Sequence, residues 1–492
     1  MKSKIERDIR FLMTFALIIG LFLLAAFPSQ NRKVFGNVVN YNDNNGEPGV
    51  GFNIWSQLTR PAAQGNIVSP RLAALQRDLK AGNQSALETF WQEVNKSGTP
   101  LVETIKGNEK NALVTFLWRS KEPTHVVILS DFGANVASLT LTRLTTTDVW
   151  YKTYRLPNDS RFLYQFSVDD PEFPFEGEAE SKYPTQSQPD PLNPRRYDYA
   201  KPMIFSIVEL PAAPSLELST PNPDVPRGVV RRFGETLKSR ILGNERSIFV
   251  YQPPGYSKTA ATPYPLLIFG ASYINQTRLP VILNNLIAKR RIPPVVAVFI
   301  AFPPSSAGQN LQDEEESGDK PLGDFIAKEL LPWVRERVNV TNDPRRIVIG
   351  GASAGGHSAA FVALQHPEAI GNVIAQSGAF WRGIGHTAFY WAAPEHDDGR
   401  EGFARAVASS PVAAARFYLT VGRLENGTAF NDGRISALQA SRHVRDVLLA
   451  KGYNVTLRET GGGHDPYNWE SALPDALVAL LNVESSTAVA NK

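Results

Sequence analysis

The sequence predicts an α/β fold in two parts, a small all-β sandwich followed by a doubly wound α/β domain. Before about residue 210, apolar residues fall into short β-branched and aromatic runs separated by turn chemistry, as in an antiparallel sandwich. After Pro226, nearly continuous apolar runs alternate with helical stretches, as parallel strands covered on both faces require. The composition agrees: 492 residues, 42% hydrophobic and 20% charged, describe a globular chain with room for more than one core.

Lys plus Arg total 51 and Asp plus Glu 48, so the net charge is only +3. That balance gives no electrostatic footprint for nucleic acid, and no basic run is interleaved with aromatics. The absence of cysteine excludes disulfides, a thiol nucleophile, thiolate metal sites and a lipidated cysteine. No His/Asp/Glu cluster has metal-ligand spacing, and neither a P-loop nor a G-x-G-x-x-G is present. The sequence thus implies no metal and no organic cofactor.

At the N-terminus Lys2, Lys4, Arg7 and Arg10 precede an apolar run from Phe11 to Phe27. Residues 1–30 read as a cleaved signal peptide or an uncleaved membrane anchor, and either address exports the body of the protein to the periplasm or beyond. The membrane is then a partner only through this segment. Residues 31–68, rich in Asn and Gly, form a spacer. Residues 69–210 hold a helix from about Pro70 to Val94 and then five strands: Ala112 to Trp118, His125 to Leu129, Ser138 to Leu144, Val149 to Arg155 and Phe162 to Val168. Pro-rich residues 211–227 are a linker. In residues 228–485 the predicted strands are Ser247 to Tyr251, Tyr264 to Phe269, Val295 to Ala301, Arg346 to Gly350, Asn372 to Gln376, Arg416 to Val421 and Val455 to Arg458. Helices at Pro280 to Lys289, Leu322 to Val338, Ser358 to Gln365 and Ala437 to Lys451 lie between them.

The chemistry centres on Gly351-Ala-Ser-Ala-Gly-Gly356, which joins a predicted strand to a predicted helix. This is the G-x-S-x-G nucleophile elbow, so Ser353 is the candidate nucleophile and the Ala354 N–H a candidate oxyanion donor. The second donor belongs to the loop after Tyr264 to Phe269, at Gly270 or Ala271. Of seven histidines, His464 in Gly461-Gly-Gly-His-Asp follows the last strand, where the chain order Ser, acid, His puts the base. The acid should follow Arg416 to Val421: Glu425 is the first carboxylate there and Asp432 its rival, while Asp465 caps the next helix or faces away. His357 should pack behind the elbow and His366 sit at a helix end. Trp381, Phe380 and Trp469 either ring the mouth above Ser353 and contact substrate or pack in the core.

These residues resemble the enterochelin (iron-siderophore) esterases. The likeness runs from about residue 97 to 480 and includes Val114 to Arg119, Asp148 to Tyr154, Asp190 to Pro194, Gly243 to Arg246, Gly351 to Gly356, Gln376 to Trp381 and Gly462 to Asp465. The chain departs from the family at Phe269, where an Asp is frequent, and between Phe302 and Lys320, which holds no arginine. The resemblance implies an immunoglobulin-like domain before an α/β-hydrolase domain. It also implies hydrolysis of a small-molecule ester, a catecholate siderophore trilactone in its ferric or free form, with Ser353 and His464 catalytic. Feruloyl and acetylxylan esterases share the hydrolase fold and offer the alternative substrate. A ligand-binding protein that has given up catalysis is the alternative from another class.

Overall fold

The computed structural model describes residues 69–122, 124–130, 136–173, 185–200, 203–302, 320–382, 401–426 and 435–482. The N-terminal segment, the spacer, His386, His396, the acidic run at 313–316 and Asp432 lie outside them. Among the described residues no helix is long and apolar enough to cross a membrane.

The helix expected between Pro70 and Val94 is two helices. Pro70–Lys80 starts on Ser69, whose hydroxyl accepts the Leu72 N–H at 3.2 Å, with proline in the first turn where its missing donor costs nothing. Gly82, at φ 88°, turns the chain before Ala86–Ser97 begins. The second helix buries Phe90, Trp91 and Val94, one helical turn apart, against Leu101, Leu117 and Val149.

The front domain has strands β1 (Leu101–Ile105), β2 (Asn108–Arg119), β3 (Val126–Leu129), β4 (Thr142–Arg143), β5 (Val149–Pro157), β6 (Arg161–Val168), β7 (Arg196–Ala200) and β8 (Met203–Glu209). They form two antiparallel sheets, β1-β2-β5-β4 and β3-β6-β8-β7. Val114, Phe116, Tyr154 and Leu156 of the first sheet pack on Val126, Ile128, Phe162, Tyr164 and Phe166 of the second, which makes the sandwich core. The strand expected at Ser138 to Leu144 is instead a helical turn, Val136–Leu139, followed by the two residues of β4. The Tyr154 hydroxyl donates to the Ser138 carbonyl at 2.5 Å and takes that acceptor out of any sheet ladder.

The α/β domain adds β9 (Val229–Arg232), a two-residue pair β10 (Leu237–Lys238) and β11 (Glu245–Arg246), then β12 (Ile248–Gln252), β13 (Leu266–Gly270), β14 (Val296–Ile300), β15 (Ile347–Ala352), β16 (Asn372–Gln376), β17 (Arg416–Gly422) and β18 (Asn454–Thr460). The large sheet runs β18-β17-β16-β15-β13-β14-β12-β9, parallel except where β12 pairs with β14 and β9. Along β13, Leu266 and Ile268 face one core and Leu267 and Phe269 the other, so helices cover both sides. The helix expected at Leu322 to Val338 is three segments: Lys320–Phe325, a wider π-turn at Ile326–Leu330 and Leu331–Arg337. Pro332 has no N–H to donate back, and the ladder widens ahead of it.

Candidate active site

β15 ends at Ala352 and the helix Ala354–Gln365 starts two residues later, so Ser353 alone makes the turn. Its backbone sits at φ 55°, ψ −124°, a conformation that costs a non-glycine residue on the order of 1–3 kcal/mol. The surroundings enforce it. The Ser353 N–H donates to the Gln376 carbonyl at 2.9 Å, and its own carbonyl accepts the N–H groups of His357 (3.1 Å) and Ala379 (3.0 Å). Gly351 is sterically required, because a Cβ there would collide with the Gly355 backbone. Ala354 opens the helix, where the first N–H groups have no acceptor within the helix.

Glu425 and His464 meet. Glu425 lies three residues past β17, and His464 lies between β18 and the helix Pro466–Leu481. His464 Nδ1 is 2.7 Å from Glu425 Oε2. The other carboxylate oxygen, Oε1, accepts the Gly422 N–H and the Ser377 hydroxyl, both at 2.6 Å. Sequence reasoning missed Ser377. It follows β16 directly, its N–H donates to the Thr420 carbonyl at 2.7 Å, and its oxygen also accepts the Trp469 indole N–H at 2.9 Å. The signal available was its place in Gln376-Ser-Gly, one step past a strand between the elbow and the acid.

Trp469 backs the imidazole, edge-on with ring centroids 5.2 Å apart. Its carbonyl accepts from Gln376 Nε2 at 2.8 Å, and Gln376 Oε1 accepts the Tyr273 hydroxyl at 3.1 Å. Trp469 is buried, so it lines the cleft as a wall and does not stand at an open rim. Phe380 needs a correction. It is 1% exposed and packs on Phe403, with centroids 5.4 Å apart, so it belongs to the core and does not line the cleft beside the elbow. Trp381 rests against the same core from a half-buried position. His357 packs behind the elbow on Phe361, His366 ends the helix beside Asp324, and Asp465 caps Pro466–Leu481 by accepting the Asn468 N–H at 2.9 Å. One turn on, burial pushes the Glu470 carboxyl up against the pull of Arg278, whose guanidinium lies 2.9 Å away.

A cleft of about 810 Å³, counting space open to solvent, runs beside the elbow past Gly270, Ser272, Tyr273 and Phe302. The Ala271 side chain packs toward the core, while the turn it opens, Ala271–Ile274, borders this cleft. The buried guanidinium of Arg246 forms part of the wall, over the rings of Phe302 (5.7 Å) and Phe325 (5.1 Å).

Known proteins bear on this arrangement. Residues 239–480 match the family model described as putative esterase, and residues 113–218 the one described as enterochelin esterase, N-terminal. The iron(III) enterobactin esterase of Dickeya dadantii (strain 3937) is 27% identical over 438 residues, covering 82% of this chain and 95% of its own. The iron(III) salmochelin esterase of Escherichia coli O6:H1 (strain CFT073) is 28% identical over 429 residues, covering 83% and 97%. The crystal structure of ferric enterobactin esterase from Salmonella typhimurium superposes with a TM-score of 0.62 at 24% identity, covering 80% of this chain and 98% of that one, and shows the shared fold. Two matched models follow one another in the order of the sandwich and the α/β-hydrolase sheet, and over both parts the chain is similar to the enterochelin esterases.

Proposed function

We propose that this esterase opens the ester bonds of a catecholate siderophore trilactone through a serine acyl-enzyme. The observation that carries the mechanism is the 2.7 Å contact between His464 Nδ1 and Glu425 Oε2, beside a serine strained at a helix N-terminus. With Nδ1 engaged by the carboxylate, Nε2 is the nitrogen left to take the Ser353 proton. Ser353 Oγ then bonds to the ester carbonyl carbon. The developing oxyanion takes hydrogen bonds from the Ala354 N–H and from the loop that Ala271 opens. Collapse breaks the ester C–O bond, and the leaving alkoxide recovers the proton from His464. Water, deprotonated by the same nitrogen, releases the acid and restores the serine. Each ester opened yields one hydroxyl and one carboxylate.

The trilactone is supported by the relatives, whose names specify iron(III) enterobactin and salmochelin and which this chain matches over nearly their whole length. The test is a panel of ferric and iron-free catecholate trilactones beside feruloyl and acetyl sugar esters, with products identified by mass spectrometry. Linear trimer and shorter fragments should appear, and should vanish in Ser353→Ala. Cleavage confined to the feruloyl or acetyl esters contradicts the substrate assignment.

A further inference from the structure

The loops that carry the acid and the base both rest on one turn of the front sandwich, Asn158 to Ser160, and on the start of β6. The contacts are of four kinds. Arg423, two residues before Glu425, reaches Asp159 with Nη2 2.7 Å from Oδ2. Leu424, between them, is 3% exposed and buries its side chain in the sandwich core with Phe162 and Leu210. Gly461, at the start of the His464 loop, lies so close to Asp159 that a Cβ would strike the Asp159 carbonyl. Asp465, next to His464, accepts the Leu163 N–H of β6 at 3.2 Å with one oxygen while the other caps its helix. The loops are also tied to each other, since the Arg423 N–H donates to Thr460 O at 2.8 Å and the Leu424 N–H to Gly462 O at 3.1 Å.

We infer that the front sandwich sets the separation of Glu425 and His464, with Asp159 and Arg423 as positioning residues that touch neither substrate nor the reacting atoms. The inference rests on the Ser353–His464–Glu425 reading above. Its physical ground is that proton transfer depends steeply on geometry. The loop that carries Glu425 is held on one side by β17 and on the other, through Arg423 and Leu424, by a domain that supplies no catalytic group.

The experiment uses the full chain and whichever ester of the panel turns over fastest, with Asp159→Ala, Arg423→Ala and the double variant. Asp159 is 39% and Arg423 21% exposed, so both substitutions leave the cores intact, which melting temperatures check. Each single variant should lower kcat by about tenfold or more with KM within about twofold, and the double should be no slower than either single, because both remove the same link. Arg71→Ala, which breaks an ion pair to Glu93 elsewhere in the front domain, should leave kcat unchanged. Wild-type kcat in the singles, a loss that appears in KM, or an additive double variant overturns the inference. Ser353→Ala, measured beside them, separates the two claims. If it keeps full turnover, the triad falls and the inference with it. If it is inactive while Asp159→Ala is not impaired, only the positioning role falls.

Discussion

Every acceptor on the Glu425 carboxylate faces a partner: Gly422 N–H and Ser377 O–H at one oxygen, His464 Nδ1 at the other. That saturation makes Glu425→Gln an informative change. The amide oxygen can keep the first two hydrogen bonds, but its NH₂ then presents a donor to Nδ1. The imidazole is driven to the tautomer with its proton on Nε2, the atom that must accept from Ser353. Steady-state kinetics should show kcat reduced by about 10³–10⁴-fold, with KM and melting temperature close to wild type. Turnover within a few fold of wild type would mean that Glu425 only packs. The strained turn at Ser353 and the meeting of His464 with Glu425 were legible in the sequence because steric need and chain order restrict where such residues can stand. Phe380 was not. In an irregular loop past a strand end no periodicity says which way a ring points, and its burial depends on Phe403, reached only after a long intervening stretch.

Among elements, the nearly continuous β-branched strands of the large sheet announced themselves, β16 to the residue. The half-exposed, charged strands β1, β7 and β9 did not, because Glu103, Arg196, Asp198 and Arg231 break the apolar pattern without breaking the pairing. The helix Ala86–Ser97 docks on the sandwich through a buried carboxylate: Asp148 accepts the Trp91 indole N–H and Arg119 Nε, both at 2.8 Å, and the Arg119 guanidinium lies over the Trp91 ring. Burial pushes the Asp148 carboxyl up, but the Trp91 and Arg119 hydrogen bonds outweigh it and hold it below the usual aspartate range. A carboxyl lowered by folding adds stability above its unfolded value, near about 4, and loses it as the pH falls. Asp148→Asn should therefore cost about 1–3 kcal/mol in urea unfolding at neutral pH, a difference that shrinks as the pH falls toward about 3. A penalty that stays constant across that range would show that the charge on Asp148 contributes nothing.

At the scale of the whole molecule, the order of two domains could be read from the change in hydrophobic period, but their junction could not. It is made by pairs such as Asp159 with Arg423 and Leu163 with Asp465, hundreds of residues apart and each unremarkable in its own loop. The parallel order β15-β16-β17-β18 sets the loops after β17 and β18 on the same edge of the sheet as the elbow after β15, where the proposed catalytic site around Ser353 is assembled. The most direct measurement is labelling of the intact protein with a fluorophosphonate, followed by peptide mapping. A single adduct should form on the peptide bearing Ser353, more slowly in His464→Ala and not at all in Ser353→Ala. An adduct on another residue, or labelling that survives Ser353→Ala, would contradict that site.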